Sequence, residues 1–321
     1  MKPLWNLVGR AAAVLTATAG LTAAAAGMPA PGTVNYVQGQ VTLDGQRVVA
    51  RSGNPAIVEA NRVLDTGEGM AEMLLTPGVF FRMGASSEVR MISPGLDDTR
   101  VELVRGTAML EASEVPKQSN LAVMLAGAAI RIDKKGLYEF ATAPAAAGVL
   151  DGEATVTLGN SHLNLKKEHW APLDGGQPLK AQGLDVDAAL STTLFNWSEW
   201  RSQYEAQANI AAAQDIVANG GWFGDGWYWD PLWDCYTFLP GSGILYSPFG
   251  WGFYAPGWVS RVPRDFYRYR PVAGSLGVRA AAAKANVASG RGAAVGHAGG
   301  GVGHAGGGFG GGHGGGGGGR R

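Results

Sequence analysis

The residues best suited to chemistry lie towards the C-terminal end of the chain. Fourteen of the 37 residues from Trp222 to Trp258 are aromatic, against 29 in the whole sequence. Trp222, Trp227, Trp229, Trp233, Trp251 and Tyr254 are interleaved there with Asp225, Asp230 and Asp234. Aromatic faces stack on sugar rings while carboxylates accept hydroxyl hydrogen bonds. Exposed Trp and Tyr equally make hot spots for a protein partner or anchors at a membrane interface. A third reading of the same residues is structural: Gly- and Pro-rich segments fold back, and the aromatics cover a neighbouring domain as a satellite core. The Asp225-Gly226 and Asp230-Pro231 steps also have ordinary turn explanations.

Other chemistry-bearing residues are scattered. The sequence contains no His-Glu-x-x-His, no Gly-x-Ser-x-Gly and no phosphate loop. Cys235 is the single cysteine and has no recognisable His partner, so it reads as a buried or incidental thiol. One cysteine also excludes a disulfide framework. His162 and His169 lie seven residues apart, which is not a standard metal-ligand spacing. His297, His304 and His313 sit in a stretch with 19 glycines among its last 32 residues. On such a tail they could capture Zn²⁺ or Ni²⁺ weakly, or simply be solvated. No cofactor is expected.

The elements that must carry these residues begin with an export signal. Lys2 and Arg10 precede an apolar run from Ala11 to Ala26 that closes on Ala24-Ala25-Ala26 before Gly27. This is the pattern of a secretory signal peptide over residues 1–26, too short and alanine-rich for a stable membrane span. The expected location is extracytoplasmic: the periplasm, or exported and envelope-associated. No integral membrane segment is expected after cleavage.

The 321 residues carry a formal net charge of zero, and that total is a sum of unlike parts. From Gly27 to Trp258 there are 15 basic and 25 acidic side chains, leaving −10, whereas Val259 to Arg321 carries nine basic residues and one acid. Arg264, Arg268 and Arg270, among Phe266, Tyr267 and Tyr269, suit an anionic surface. Export favours lipid headgroups or acidic glycans over nucleic acid, and only 16% of residues are charged.

Between residues 31 and 183 short apolar or alternating runs are separated by turn formers. Examples are Val34–Val37, Val41–Leu43, Met70–Leu75, Val79–Met83, Val101–Val104, Thr107–Leu110, Leu121–Leu125, Ala129–Ile132, Leu137–Phe140 and Ala154–Leu158. Asp44-Gly45 and Pro77-Gly78 supply the backbone angles that tight connections demand. Many short strands without helical periodicity between them predict an all-β sandwich or a solenoid-like stack.

The segment Val63-Leu64-Asp65-Thr66-Gly67-Glu68-Gly69-Met70-Ala71, followed by Pro77-Gly78-Val79-Phe80-Phe81-Arg82-Met83 and Gly84-Ala85-Ser86-Ser87-Glu88-Val89, resembles the core of the FecR-type domain. Gly32 to Val41, Val101 to Gly106 and Val149 to Ala154 are similar to further pieces of that family in the same order. The resemblance covers about 150 residues and implies an all-β periplasmic domain. The best-known members cross the inner membrane and pass a signal from an outer-membrane transporter to a sigma factor. Only ten residues precede the apolar run here, so direct sigma control is not expected to carry over. Exported proteins with this domain often have a similar aromatic C-terminal stretch.

Residues 185–219 read as a helix. Asp185 and Asp187 are suitable N-cap residues, Gly220-Gly221 stops the run, and Leu190, Leu194, Trp197, Trp200, Tyr204, Ala208 and Ala211 form the apolar stripe. Such a helix docks a partner or packs on its own β domain. The expected architecture is therefore mainly β: a FecR-like domain over 31–183, the helix, an aromatic Gly/Pro-rich module over 220–260, and a basic, Gly/His-rich disordered tail over 261–321. The expected function is nonenzymatic, a binding or structural module of the cell envelope whose partner is an envelope protein or a glycan. The alternative is a carbohydrate-binding module or weak glycan-processing enzyme using the Trp/Asp-rich region.

Overall fold

The computed structural model describes residues 29–49, 55–176, 178–261 and 274–288. The signal segment, the 264–270 arginine cluster and the histidine tail lie outside the described residues. Contact density separates residues 1–283 from a second unit, 284–321, of which only the end of one helix is described.

The strands, numbered along the chain, form two large sheets. The first runs in spatial order β1 (Thr33–Gln38), β5 (Met70–Leu74), β6 (Val79–Met83), β9 (Thr107–Ala112), β12 (Gly136–Thr142), β13 (Ala145–Asp151), β16 (His169–Pro172) and β17 (Gln182–Gly183). The second runs β15 (Ser161–Lys166), β14 (Glu153–Leu158), β11 (Ala128–Ile132), β10 (Asn120–Leu125), β8 (Asp98–Arg105), β7 (Glu88–Pro94), β4 (Val63–Asp65), β2 (Thr42–Leu43) and β3 (Gln46–Arg47). Alternate residues of both sheets meet in one apolar core: Met73, Phe81, Leu110 and Tyr138 from the first, Leu64, Val101, Val123, Ile130 and Val156 from the second. The mainly β expectation is borne out, and of its two forms the shared core makes this a sandwich.

The second sheet turns its other face to solvent, with Arg90, Glu102, Arg100 and Asp98 paired along it. The first sheet does not. Its outer face is covered by α1 (Val186–Leu190), α2 (Thr193–Asn219) and two aromatic hairpins, β18 (Gly226–Asp230) with β19 (Cys235–Leu239) and β20 (Ile244–Tyr246) with β21 (Gly252–Tyr254). Two short helices follow, α3 (Pro256–Val259) and α4 (Leu276–Ala288).

The expected single helix is thus two. Asp185 caps α1 by accepting from the Ala188 N–H at 3.1 Å, and Thr192 caps α2 by accepting from the Phe195 N–H at 3.2 Å. A second capping residue inside the run restarts the helix in a new direction. The buried stripe also differs from the expected one. Trp197 and Ala208 are buried, but Trp200 is 45% exposed, and the sheet-facing positions are Ser198, Arg201, Ser202, Glu205 and Asn209. Those spacings of three and four are helical too, yet the residues are polar.

Their partners explain the inversion. Across the outer face of the first sheet, one rung joins Tyr36, Glu72, Arg82, Met109, Glu139, Gly148 and Trp170 on seven adjacent strands. Arg82 Nε donates to Glu72 Oε2 at 2.7 Å, and a second guanidinium nitrogen pairs with Glu111. Arg201 comes down from α2 onto Glu72 Oε1 at 2.8 Å while also pairing with Glu205 one turn along. Ser202 Oγ donates to Glu111 at 2.7 Å, and Asn35 donates to Glu72 and Glu205 and accepts from the Tyr236 N–H. All five ionisable side chains have zero solvent exposure. Tyr36, Tyr204 and Trp200 close around the guanidinium of Arg201 at 4.2 to 5.7 Å.

Three carboxyls face two guanidiniums in this cluster. Burial pushes the Glu72 carboxyl up, but Arg201 and Arg82 more than offset it and hold Glu72 below the usual range. Burial and then the neighbouring Glu72 drive Glu205 well above it, against the pull of Arg201. Arg201→Met leaves Arg82 as the one guanidinium facing three buried carboxyls, so urea unfolding is expected to show a loss of about 3–5 kcal/mol. The double variant Arg201→Met/Glu205→Gln is expected to recover part of that loss. A single-variant loss below about 1 kcal/mol, the range of exposed pairs, would overturn this account.

Candidate functional site

The aromatic module packs on the domain. Trp227 is 3% exposed and meets Phe80 on the sheet at 5.0 Å between ring centroids, with Phe238 at 5.9 Å on its other side. Phe238, Phe253, Leu74 and Ala206 complete that cluster. Tyr254 is buried beside Val259 and Ala213, and its backbone is held by Asn209, which accepts from the Tyr254 N–H and donates to its carbonyl. Asp230 is buried and spends Oδ1 on the backbone N–H groups of Leu232 and Trp233, at 2.9 and 3.0 Å. Trp229, Trp233 and Trp251 are half-buried, and Trp229 and Trp233 rest edge-on against Tyr236 and Tyr204. Trp222 is exposed, as are its neighbour Phe223 and Leu232.

The candidate carboxylates therefore have distinct places. Asp225 keeps an exposed side and accepts from the Gly241 N–H at 3.2 Å. Burial pushes its carboxyl up to about 6, and the nearby Glu114 adds to this. Cys235 is buried next to Glu205, and burial pushes its thiol far above the usual range, which leaves it un-ionised. His162 and His169 are exposed, their Nδ1 atoms 3.1 Å from Thr157 Oγ1 and 2.8 Å from the Lys167 carbonyl. No group of three potential metal ligands occurs among the described residues.

The cover leaves a substantial opening over the first sheet. On the far side of Met109 from the ion cluster, a cleft of about 460 Å³ lies between β9, β12, β13, β16 and helix α1. Its floor is the outer face of the sheet, where Thr107, Ala141, Ala146 and Gly148 present little or no side chain. Trp170 walls one side, and Leu184, Ala188, Ala189, Thr192 and Leu194 form the roof. The size falls within the range of small-molecule sites.

Glu139 stands on this floor. Tyr138 and Phe140 point into the sandwich core on either side of it, so strand alternation sends Glu139 outward. Gly148 is its cross-strand partner on β13, and a Cβ there would lie 2.8 Å from both Glu139 Cγ and Oε1. The missing side chain is what gives the carboxyl its space. Burial alone raises its pKa, and no described residue gives it a hydrogen bond or a salt bridge. Asp185 at the rim is the other acid of the lining, with one oxygen committed to the helix cap, and no Lys, Arg or His lines the cleft among the described residues.

Sequence reasoning passed over Glu139, Gly148 and Trp170. The available signals were a lone acid between two large apolar residues in a strand, and a glycine inside another. Nothing local says that the two face each other.

No family model matches the chain, and no curated protein matches it. Two crystal structures of a candidate anti-sigma factor from Parabacteroides distasonis are similar over part of it. They share 14% identity with TM-scores of 0.31 and 0.32, covering 38% and 41% of this chain and 63% and 60% of theirs. The chain thus spans about three fifths of the length of those structures.

The Asp225 environment has a measurable consequence. The folded protein keeps this proton to higher pH than the unfolded chain does, so the carboxyl costs stability progressively as pH rises from about 4 to about 6. Asp225→Asn keeps the acceptor for Gly241 and removes the ionisation. At pH 7.5 it is expected to stabilise by on the order of 1 kcal/mol after allowance for solvent screening. At pH 3.5 the gain is expected to vanish, and a thermal melt showing equal shifts at both values would contradict this.

Proposed function

We propose that the chain is a nonenzymatic, FecR-like binding module of the bacterial cell envelope that takes a small ligand in the cleft beneath α1. The cleft itself is the observation that carries this reading: an apolar recess on a sheet face that is otherwise sealed by a helix and aromatic hairpins. Its lining holds two carboxyls, two threonines and six alanines, and no His, Cys or Lys. The resemblance of the β motifs and the signal-peptide pattern of residues 1–26 support the envelope location.

Two measurements test it. The neutral dye N-phenyl-1-naphthylamine is expected to brighten on binding the wild-type protein, and Ala146→Trp, which fills the floor, is expected to abolish the signal. Fractionation of the native bacterium is expected to place the protein outside the cytoplasm. A dye signal unchanged in Ala146→Trp would remove the cleft from the proposal, and recovery mainly from the cytosol would remove the envelope.

A second reading, glycan binding, is favoured by a smaller pocket of about 360 Å³ at the end of α2. Tyr228, Trp229, Asp215 and Leu232 line it, which offers aromatic faces beside a carboxylate. A glycan array on wild type and Trp229→Ala checks this reading, with binding expected only in the former; an array on which neither binds disposes of it.

A further inference from the structure

The chemistry of the cleft selects among ligands. Its apolar surface asks for an apolar body, and Trp170 in the lining offers a ring for stacking or alkyl contact. The Glu139 carboxyl is the exception inside that surface. It is half-buried, it has lost part of its hydration, and no described residue supplies a counter-charge. An acid in this position gains most from a ligand that brings a positive charge and N–H donors of its own.

The contrast along the same rung sharpens the point. Glu72 lies between Tyr36 and Arg82, and Arg201 reaches it from α2. Met109 separates Arg82 from Glu139 across β9, so the cationic ladder ends one strand short. Gly148 on the next strand then leaves space where another side chain would stand. The roof over Glu139 is Ala188, Ala189 and Leu194 rather than a second arginine. Asp185 at the mouth adds negative charge, and no basic residue in the lining opposes it.

We propose that the cleft takes a small organic cation, a primary ammonium or guanidinium carried on an apolar body, with the charged head on Glu139 and the body between Trp170 and α1. This assignment rests on the cleft being the binding site, and it names the class of ligand. An ammonium head donates to Glu139, and its hydrocarbon stem replaces water against the alanine floor and the face of Trp170. An anionic analogue of the same shape meets Glu139 and Asp185 with like charge. A neutral alcohol keeps the apolar contact and loses the ion pair.

Competition against N-phenyl-1-naphthylamine at pH 7.5 tests the class with three probes of one shape: 4-phenylbutylamine, 4-phenylbutanol and 4-phenylbutyrate. The amine is expected to displace the dye at a concentration at least about tenfold lower than the alcohol, with the carboxylate weakest. In Glu139→Gln the ratio of alcohol to amine is expected to fall close to one, the alcohol serving as the internal control for an intact cleft. Equal displacement by amine and alcohol in wild type, or a ratio that persists in Glu139→Gln, overturns the cation assignment while leaving the cleft standing. Failure of the dye to bind wild type overturns the cleft and this assignment together.

Discussion

Five buried ionisable side chains impose the constraint on which the rest of the molecule depends. Glu72, Arg82 and Glu111 belong to the outer face of a sheet, and Arg201 and Glu205 belong to a helix. Each set alone would be an exposed polar surface. Brought together they are fully dehydrated: the carboxyls hold the guanidiniums from one side and the rings of Tyr36, Trp200 and Tyr204 close over Arg201, while Arg82 Nη2 and Arg201 Nε and Nη1 find no acceptor among the described residues. A slide of α2 by one residue would rotate Arg201 away from Glu72 and strand both. An apolar interface would forgive that slide, so the polar one defines the register of helix on sheet more than it adds stability.

The aromatic hairpins follow from the same arrangement. Thr237 and Asn209 tie β19 and β21 to α2 through backbone and side-chain hydrogen bonds, and Asn35 ties β19 to the sheet. With the hairpins placed, Trp227, Phe238 and Phe253 bury Leu74 and Phe80. The density of Trp and Tyr is thereby spent largely on covering a sheet face, in a domain where that face would otherwise expose a mixed apolar and charged surface. The cover thins where the ion ladder ends at Met109. Beyond it α1, set at a different angle by the break at Ser191 and Thr192, spans the sheet without filling the space above Gly148.

Several features were legible in the residues because they are local. Strand alternation, the Asp-Gly and Pro-Gly turns, the cap at Asp185 and the stop at Gly220 depend on neighbours within a few positions, and the structure places strands or helix ends at each. Ala145–Asp151 was less legible: Ala145-Ala146-Ala147 has little strand propensity, and its pairing with β12 and β16 makes it a strand. The stripe on α2 misled for a related reason. Trp197 and Ala208 of that stripe are buried, but Trp200 is exposed and Tyr204 half-buried, because the helix turns Arg201, Ser202 and Glu205 towards the surface that can satisfy them. That surface holds Glu72 and Glu111.

The amino-acid sequence by itself therefore determined the class of fold, the acidic body and basic C-terminal stretch, and the aromatic run that has to be accounted for. These follow from composition and short-range periodicity. Only the tertiary structure decided that most of the aromatics turn inward and that α2 buries its charged face. It also put Glu139, which no described residue pairs, opposite a glycine under α1. The first two join residues more than a hundred positions apart, and Glu139 and Gly148, though near in sequence, meet only through the pairing of β12 with β13; the energy of a buried charge is set by what stands across from it.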